Sequence, residues 1–515
     1  MKINLSVSIV FSLLLFMSCK EQMGDFVNTT SLDKDIGLGA KLENPYSLKN
    51  MQRAYDLLDQ KTKSDDSFKL SATHLYLKFK PANEEELTKI KQDTSIVWYS
   101  YPMDHEEIPD SENYHDPAIP DSLPTYQYAS INIDKWSVVS FKDIEHEILE
   151  ELFIPDEDKI GMETRSGGYT GSNGLSDDVV DKLVTTAFII THNEVELNQT
   201  KSRGKWRPQG VITYEDEHLG KIGMEGVRVD VKRWFTTHTG FVDANGYYSC
   251  DGRFKGSAKY NFKMERYNFR INGAGVREHY SSNTRKGNFD YHFSRKVNES
   301  EYFIATIFRA AFHYYYKDIQ GLRRPPMNST WKQQLKIKAR NSSDELINGN
   351  FSSYRRFLGL GNHIHIFNQL LIPDRTTINI YATTIHELAH ASHWAMSDKE
   401  GCKHKHFLNA ETKMVESWAS GVQWALTKMI YTSYKGRNYS TKNPNYTNIV
   451  IDLVDEEGDI NNGKNKNQGD FVSGYTILQI ENALIGCESW NMWRDHLKKI
   501  NNETKENVNI LFAAW

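Results

Sequence analysis

The segment at residues 381–396, which contains His386-Glu387-Leu388-Ala389-His390, constrains the fold and chemistry of this chain more than any other. It has no Gly or Pro and its apolar residues recur at helical spacing, so we expect a helix. On a helix, His386 and His390 share one face, about one turn apart. That separation suits two ligands of one tetrahedral Zn²⁺, and Glu387 can then serve as general base toward a water at the metal.

A catalytic zinc ion usually has three protein ligands, so a third ligand must lie elsewhere in the chain. A His ten residues after His386 is excluded, because position 396 is Met. His393 lies about 10 Å along the helix axis from His386, which is too far for one tetrahedral ion. We interpret His393 either as a neighbour of the site that faces the substrate or as a partly buried helix residue.

Two acidic residues in the next apolar helical segment are candidates for the third ligand. Glu411 and Glu416 are five residues apart, about 140° around a helix, so both cannot face one metal. Glu411 closely follows Asn409, a good N-cap, where a carboxylate is favoured by the helix dipole. Glu416 lies deeper among apolar residues, where an unpaired carboxylate is costly. A metal ion explains its position, and we therefore expect Glu416 to be the ligand.

With these residues the chain resembles the gluzincin metallopeptidases, in which H-E-x-x-H is followed by a helix carrying a Glu ligand, often as E-x-x-A. Glu416-Ser-Trp-Ala419 fits that form. The resemblance covers residues 300–515 at most. It implies one Zn²⁺ held by His386, His390 and Glu416, and hydrolysis of a protein or peptide substrate with Glu387 as general base.

The oxyanion donor and the mode of cleavage follow less directly from this resemblance. In some gluzincins a Tyr or His well after the third ligand stabilises the oxyanion; Tyr475 is our candidate, and a core tyrosine is the alternative. No G-x-M-E-N-like motif, used by one aminopeptidase family to hold a free amine, occurs near residues 359–367. Its absence favours an endopeptidase over an aminopeptidase.

Alternation over residues 362–367 predicts a strand ahead of the metal helix. Zincins commonly place an edge strand beside the cleft, where a substrate backbone can add as a further strand. His363 and His365 share one face of the predicted strand. They either line the cleft or are partly exposed strand residues.

The first residues resemble a bacterial lipoprotein signal. A lysine at position 2 precedes an apolar run too short for a comfortable transmembrane helix, and Ser18 precedes Cys19. The resemblance implies a signal peptide at residues 1–18, lipidation of Cys19 and a polar tether at residues 19–45. It predicts a cell-envelope protein attached through its lipid to the outer membrane, with exposure at the cell surface as one alternative. An ordinary signal peptide with an incidental Cys is the alternative.

The remaining patterns predict a multidomain α+β protein. Residues 46–206 form a small N-terminal α+β region, with a strand at 73–79 and a helix at 84–92. Residues 207–272 resemble the carboxypeptidase regulatory-like β-sandwich module, which implies a rigid spacer or recognition module without chemistry of its own. Residues 298–515 form a mostly helical, zincin-like catalytic domain with an edge-strand cleft.

Composition narrows the alternatives. The chain has 515 residues, of which 39% are hydrophobic, so packed cores are expected. Its 62 basic and 67 acidic residues are nearly balanced, and no arginine-rich run indicates nucleic-acid binding. Cys402 and Cys487 can pair or remain free. A surface-binding lipoprotein for glycan or protein, with a non-catalytic metal site, is the main competing function; a structural protein with a chance motif is the third.

Overall fold

The computed structural model describes residues 38–59, 68–93, 95–106, 114–120, 123–155, 175–194, 197, 205–273, 279–281, 284–328, 334–342, 349–351, 363–369, 376–397, 404–436, 444–455 and 471–515. Within these ranges the fold is mixed α and β, with four sheets and twelve α-helices. No helix in this part of the chain is long and apolar enough to cross a bilayer.

The helices and strands are numbered in chain order. The helices are α1 Leu48–Asp59, α2 Glu84–Lys91, α3 Ile133–Val138, α4 Asp177–Ile190, α5 Glu299–Tyr316, α6 Thr377–Met396, α7 Lys405–Asn409, α8 Thr412–Ile430, α9 Ile449–Val454, α10 Ile477–Leu484, α11 Trp490–Leu497 and α12 Val508–Ala514. The strands are β1 His74–Phe79, β2 Gln127–Asn132, β3 His146–Leu152, β4 Gln209–Asp216, β5 Gly220–Gly223, β6 Arg228–Arg233, β7 Thr236–Phe241, β8 Tyr247–Ser249, β9 Lys259–Lys263, β10 Glu265–Arg266, β11 Phe269–Gly273, β12 His279–Ser281, β13 Tyr291–Phe293, β14 Leu335–Ser342, β15 Gly349–Phe351 and β16 Ile364–Gln369.

The N-terminal region is a small α+β unit, as its alternating and helical segments predict. Its sheet is antiparallel with the order β2-β1-β3, and the predicted strand and first following helix are β1 and α2. Two apolar clusters lie in this unit. One of them includes Trp234 and Phe235 from the β6–β7 turn, so the unit packs against the following β region.

The central β region consists of two sheets that share an apolar interior. One has the order β12-β9-β6-β7, and the other contains β13-β4-β5 with β8 paired to β4. Tyr248 on β8 contacts Tyr260 and Phe262 on β9, with ring centroids 6.4 and 6.3 Å apart. The two sheets occupy the range predicted as a sandwich, and the pairing of β12 and β13 extends them past residue 272.

The C-terminal region is built on a five-stranded sheet with the order β10-β11-β14-β16-β15. Strands β11, β14 and β16 are parallel to one another, and β10 and β15 pair antiparallel with β11 and β16 at the two edges. Because β10 and β11 belong to this sheet, the predicted boundary at residue 272 does not separate two units. A single apolar cluster runs from Ile212 of β4 to Trp515, so the β region is part of the platform for the C-terminal helices.

Candidate metal centre

Helix α6 carries the H-E-x-x-H segment, and nearly all of its side chains are buried. Its first turn is held in place, because the Thr376 hydroxyl accepts the Asn379 N–H at 3.3 Å and the Glu217 carboxylate accepts the Thr377 N–H at 2.9 Å. A carboxylate at a helix N-terminus is also favoured by the helix dipole. The helix packs against α5, α8 and the strands β15 and β16. These contacts fix the direction in which its histidines point.

His386, His390 and Glu416 meet in the interior between α6 and α8. The Nε2 atoms of the two imidazoles are 3.1 Å apart. Glu416 Oε2 lies 3.1 Å from Nε2 of His386 and 3.3 Å from Nε2 of His390. All three side chains are buried, and together they can hold a metal ion.

The triangle formed by these three atoms has the size that a tetrahedral zinc site requires. Zinc bonds of about 2.0–2.1 Å in tetrahedral geometry place neighbouring ligand atoms about 3.3 Å apart. The three observed separations are within 0.2 Å of that edge. His386, His390 and Glu416 would together hold a cation of this size, and the donor set fits zinc.

Gln423 determines which nitrogen of His386 points into the triad. Its side-chain oxygen lies 3.1 Å from His386 Nδ1, and its amide nitrogen donates to the Tyr434 hydroxyl at 2.8 Å. An amide oxygen can only accept, so Nδ1 carries the proton and donates it to Gln423. In that tautomer the neutral ring presents the Nε2 lone pair toward Glu416 Oε2, 3.1 Å away, and a metal ion could bind both atoms.

The pKa values of the triad follow from the same contacts. Burial opposes the charged form of His390, but the Glu416 carboxylate outweighs burial and raises the pKa of His390 above its ordinary value. Burial alone would raise the pKa of Glu416, and the two imidazoles instead lower it well below its ordinary value. Glu416 is therefore a carboxylate at neutral pH, which is the form that binds a metal.

Glu387 lies beside the triad and under the edge strand β15. Its side chain is buried, and its charge contributes to the raised pKa of His390. A β-carbon built on Gly349 of β15 would come within 2.8 Å of both Cγ and Oε1 of Glu387. The backbone of β15 therefore packs directly against the Glu387 side chain.

The strand predicted ahead of α6 is present and packs against that helix, but it is not the edge strand of the sheet. The segment at 362–367 forms β16, which is internal because β14 and β15 pair on either side of it. Sequence reasoning missed β15, since three residues carry too little alternation to identify a strand. Its register with β16 nevertheless fixes which strand residues face α6.

His363 and His365 do not occupy the positions expected of cleft residues. Phe351 of β15 contacts Trp394 of α6, so its register partner Ile364 also faces the helix. His365 comes next along β16 and therefore lies on the opposite face of the sheet. The Nδ1 atom of His363 accepts the Lys336 N–H at 3.1 Å. Both imidazoles are buried, which also corrects the alternative of partly exposed residues.

Tyr475 lies in the apolar core rather than at the metal centre. It is buried, and its hydroxyl donates to the Leu497 carbonyl at 3.5 Å. Burial raises its pKa to about 12. The alternative of a core tyrosine therefore describes it, and Tyr475 is not positioned as the oxyanion donor. Tyr446 is the aromatic residue beside the triad, with its ring 6.2 Å from that of His386 and nearly parallel to it.

His393 is a buried neighbour of the triad. Its ring packs edge-on against Phe407 with centroids 5.1 Å apart, and Nδ1 has no hydrogen-bond partner among the described residues. Burial, with a smaller effect from His390, lowers its pKa to about 3. His393 is therefore neutral and buried, not partly exposed.

The remaining acidic and cysteine candidates can also be placed. Helix α8 begins at Thr412 with Glu411 as its N-cap, so Asn409, the last residue of α7, is not the cap. The Glu411 carboxylate accepts the Trp490 N–H at 3.1 Å and is not part of the triad. Cys487 is a buried free thiol. Cys19 and Cys402 lie outside the described residues.

Comparison of the chain with protein-family models, with curated proteins and with solved structures finds no match. The function must therefore be inferred from the geometry of the triad and from the residues around it.

Proposed function

We propose that this chain is an exported, lipid-anchored zinc metallopeptidase that cleaves peptide bonds in a protein or peptide substrate. The observation that carries the proposal is the triangle of His386 Nε2, His390 Nε2 and Glu416 Oε2, with Glu387 beside it. Two imidazoles and one carboxylate are a donor set typical of catalytic zinc. A site built only to bind zinc has no need of Glu387.

The chemistry divides between the metal and the chain. A bound zinc ion supplies Lewis acidity, which activates a water molecule and polarises the substrate carbonyl. Glu387 takes the proton from the attacking water and delivers it to the leaving nitrogen. Gln423 keeps His386 in the tautomer that directs Nε2 to the metal. Tyr446 replaces Tyr475 as our candidate for the phenol that stabilises the oxyanion.

Strand β15 gives the substrate a place to bind. Among the described strands it pairs only with β16, so its other edge can accept an extended peptide. It is antiparallel to β16 and lies against α6, which supports a zincin-like cleft. An extended peptide passing along β15 would be cleaved internally, and we retain endopeptidase as the preferred mode.

The location of the protein is part of the proposal. Lipidation at Cys19 would attach it to the outer membrane, with residues 19–45 as tether. Replacing Cys19 with Ser should abolish incorporation of labelled fatty acid and release the protein from the membrane fraction. Unchanged incorporation in that variant would exclude this anchor.

The decisive experiment measures zinc content and hydrolysis of an unfolded protein substrate for the wild type and for Glu387→Gln. We expect about one zinc per chain in both, and a loss of hydrolysis of about 10²–10⁴-fold in the variant, since a general base contributes on this scale. Zinc in both proteins without wild-type hydrolysis would favour the surface-binding lipoprotein. Absence of zinc from both would exclude the metal site.

A further inference from the structure

We propose that Gly349 is a positioning residue for Glu387, because the absence of a side chain lets β15 lie against α6 and hold the carboxylate of the base. This inference rests on the proposed function, since the position of the carboxylate matters only if Glu387 moves a proton.

A glycine is required at position 349 because there is no room for a side chain, and not because of its backbone conformation. Gly349 is not among the residues with positive φ, so an alanine could adopt its backbone conformation. The β-carbon of that alanine would lie 2.8 Å from Glu387 Cγ, 2.8 Å from Oε1 and 3.1 Å from Cδ. Carbon and oxygen atoms in van der Waals contact are about 3.5 Å apart, so one side must move.

The strand is less able to move than the carboxylate. Gly349 is paired in register with Ile366 on β16, and Phe351, two residues on, packs against Trp394 of α6. Ile366 is itself fully buried. Displacing the strand would break ladder hydrogen bonds and open this packing. Rotating the side-chain torsions of Glu387 costs less than displacing the strand, so a methyl group at position 349 should push the carboxylate away from its working position.

A small displacement is enough to matter for catalysis. A misplacement of about 1 Å can cost about 100-fold in rate, because proton transfer requires hydrogen-bond contact. We therefore expect Gly349→Ala to lower kcat by about 10–100-fold. Zinc content and KM should change little, since the three ligands and the strand edge remain in place.

The contact itself can be tested without any measurement of activity. Thermal unfolding of metal-free protein would be followed for wild type, Gly349→Ala, Glu387→Ala and the double variant. We expect Gly349→Ala to lower Tm by about 2–4 °C when Glu387 is present, as overpacking does. The same substitution should have no effect on Tm in the Glu387→Ala background, where the crowded atoms are absent. Equal shifts in the two backgrounds would overturn the proposal.

Gly240 on β7 provides a matched control. A β-carbon there would also come within 2.8 Å of a neighbouring atom, the Ser249 carbonyl oxygen. Gly240→Ala should lower Tm but leave kcat unchanged well below the melting temperature. A wild-type kcat in Gly349→Ala, or loss of its zinc, would refute the positioning role. Absence of wild-type hydrolysis would instead refute the proposed function, and the unfolding experiment would still decide the contact.

Discussion

Two buried carboxylates, Asp216 at the end of β4 and Glu416 in α8, have very different surroundings. Asp216 accepts hydrogen bonds from Arg309 at 2.7 Å, from the Tyr431 hydroxyl at 2.6 Å and from the N–H groups of His218 and Leu219. Glu416 faces the Nε2 atoms of two imidazoles. Asp216 is paired with a guanidinium and accepts three further hydrogen bonds, whereas the partners of Glu416 are ring nitrogens that could bind a metal ion.

The difference separates a structural ion pair from a binding site. Burial would raise the pKa of Asp216, but the Tyr431 hydroxyl and the Arg309 guanidinium lower it below its ordinary value. Those partners do not depend on any further group. The partners of Glu416 are instead two imidazoles, whose ring nitrogens can bind a metal ion together with the carboxylate. A buried carboxylate therefore indicates function only when its partners are incomplete without a ligand.

Contacts made by Asp216 and its neighbour also join the β4–β5 hairpin to the helices around Glu416. Asp216 lies in the β4–β5 hairpin, and the next residue, Glu217, accepts the Thr377 N–H at the start of α6. Arg309 belongs to α5 and Tyr431 follows α8, so the hairpin joins the helices that enclose the metal centre. The β region that resembled an independent spacer thus helps to hold the metal helix.

The largest effect is expected for Glu416→Gln. Removal of a charged ligand should weaken zinc binding by more than about 100-fold, beyond what the loss of a supporting hydrogen bond causes. Hydrolysis should fall below detection. Equilibrium dialysis against zinc buffers measures the affinity.

Glu411→Gln is the matched control for that variant. Its carboxylate accepts a backbone N–H from Trp490 and is outside the triad, so zinc binding should be unchanged. If both variants bind zinc like the wild type, the ligand assignment is wrong.

Asp216→Asn tests the structural role assigned to the Asp216 ion pair. It leaves Arg309 buried without its carboxylate, which should lower the free energy of unfolding by about 3–5 kcal/mol. Urea denaturation measures the change. Zinc stoichiometry should stay at the wild-type value, and a loss of zinc with unchanged stability would reverse the roles assigned to the two carboxylates.

Gln423→Ala should weaken zinc binding by about 10–100-fold, because His386 loses the acceptor that fixes its tautomer. Gln423→Glu keeps an acceptor at that position and should restore binding. Competition with a chelating dye measures both affinities. Equal affinities of the alanine variant and the wild type would remove Gln423 from the metal centre.

The smallest effect concerns His393, whose folded-state pKa of about 3 is below its ordinary value. As pH falls below about 6.5, the unfolded chain binds a proton that the folded chain does not, so stability is lost. Between pH 6.5 and 5.5 this proton should lower the free energy of unfolding of the wild type by about 1 kcal/mol. His393→Leu should abolish that part of the decrease. Urea denaturation of metal-free wild type and variant at both pH values tests this; parallel decreases would contradict it.

Local spacing was sufficient to identify most of the triad. His386 and His390 are four residues apart on a helix, and that geometry is independent of the rest of the fold. Glu416 required one further argument, the cost of an unpaired carboxylate on an apolar helix face. Helical spacing could also have predicted that Gln423 lies near the triad, since it is seven residues after Glu416 on the same face of α8.

Non-local contacts decided the remaining features. Tyr475 and Tyr446 are both tyrosines after the third ligand, and only packing shows that the first is in the core and the second beside His386. The sheet places three-residue β15 at its edge and Gly349 against Glu387, although the two are 38 residues apart. The sequence by itself determined which residues can bind a metal, because helical periodicity is local. The tertiary structure decided what surrounds that metal, because strand order and side-chain packing depend on the whole chain.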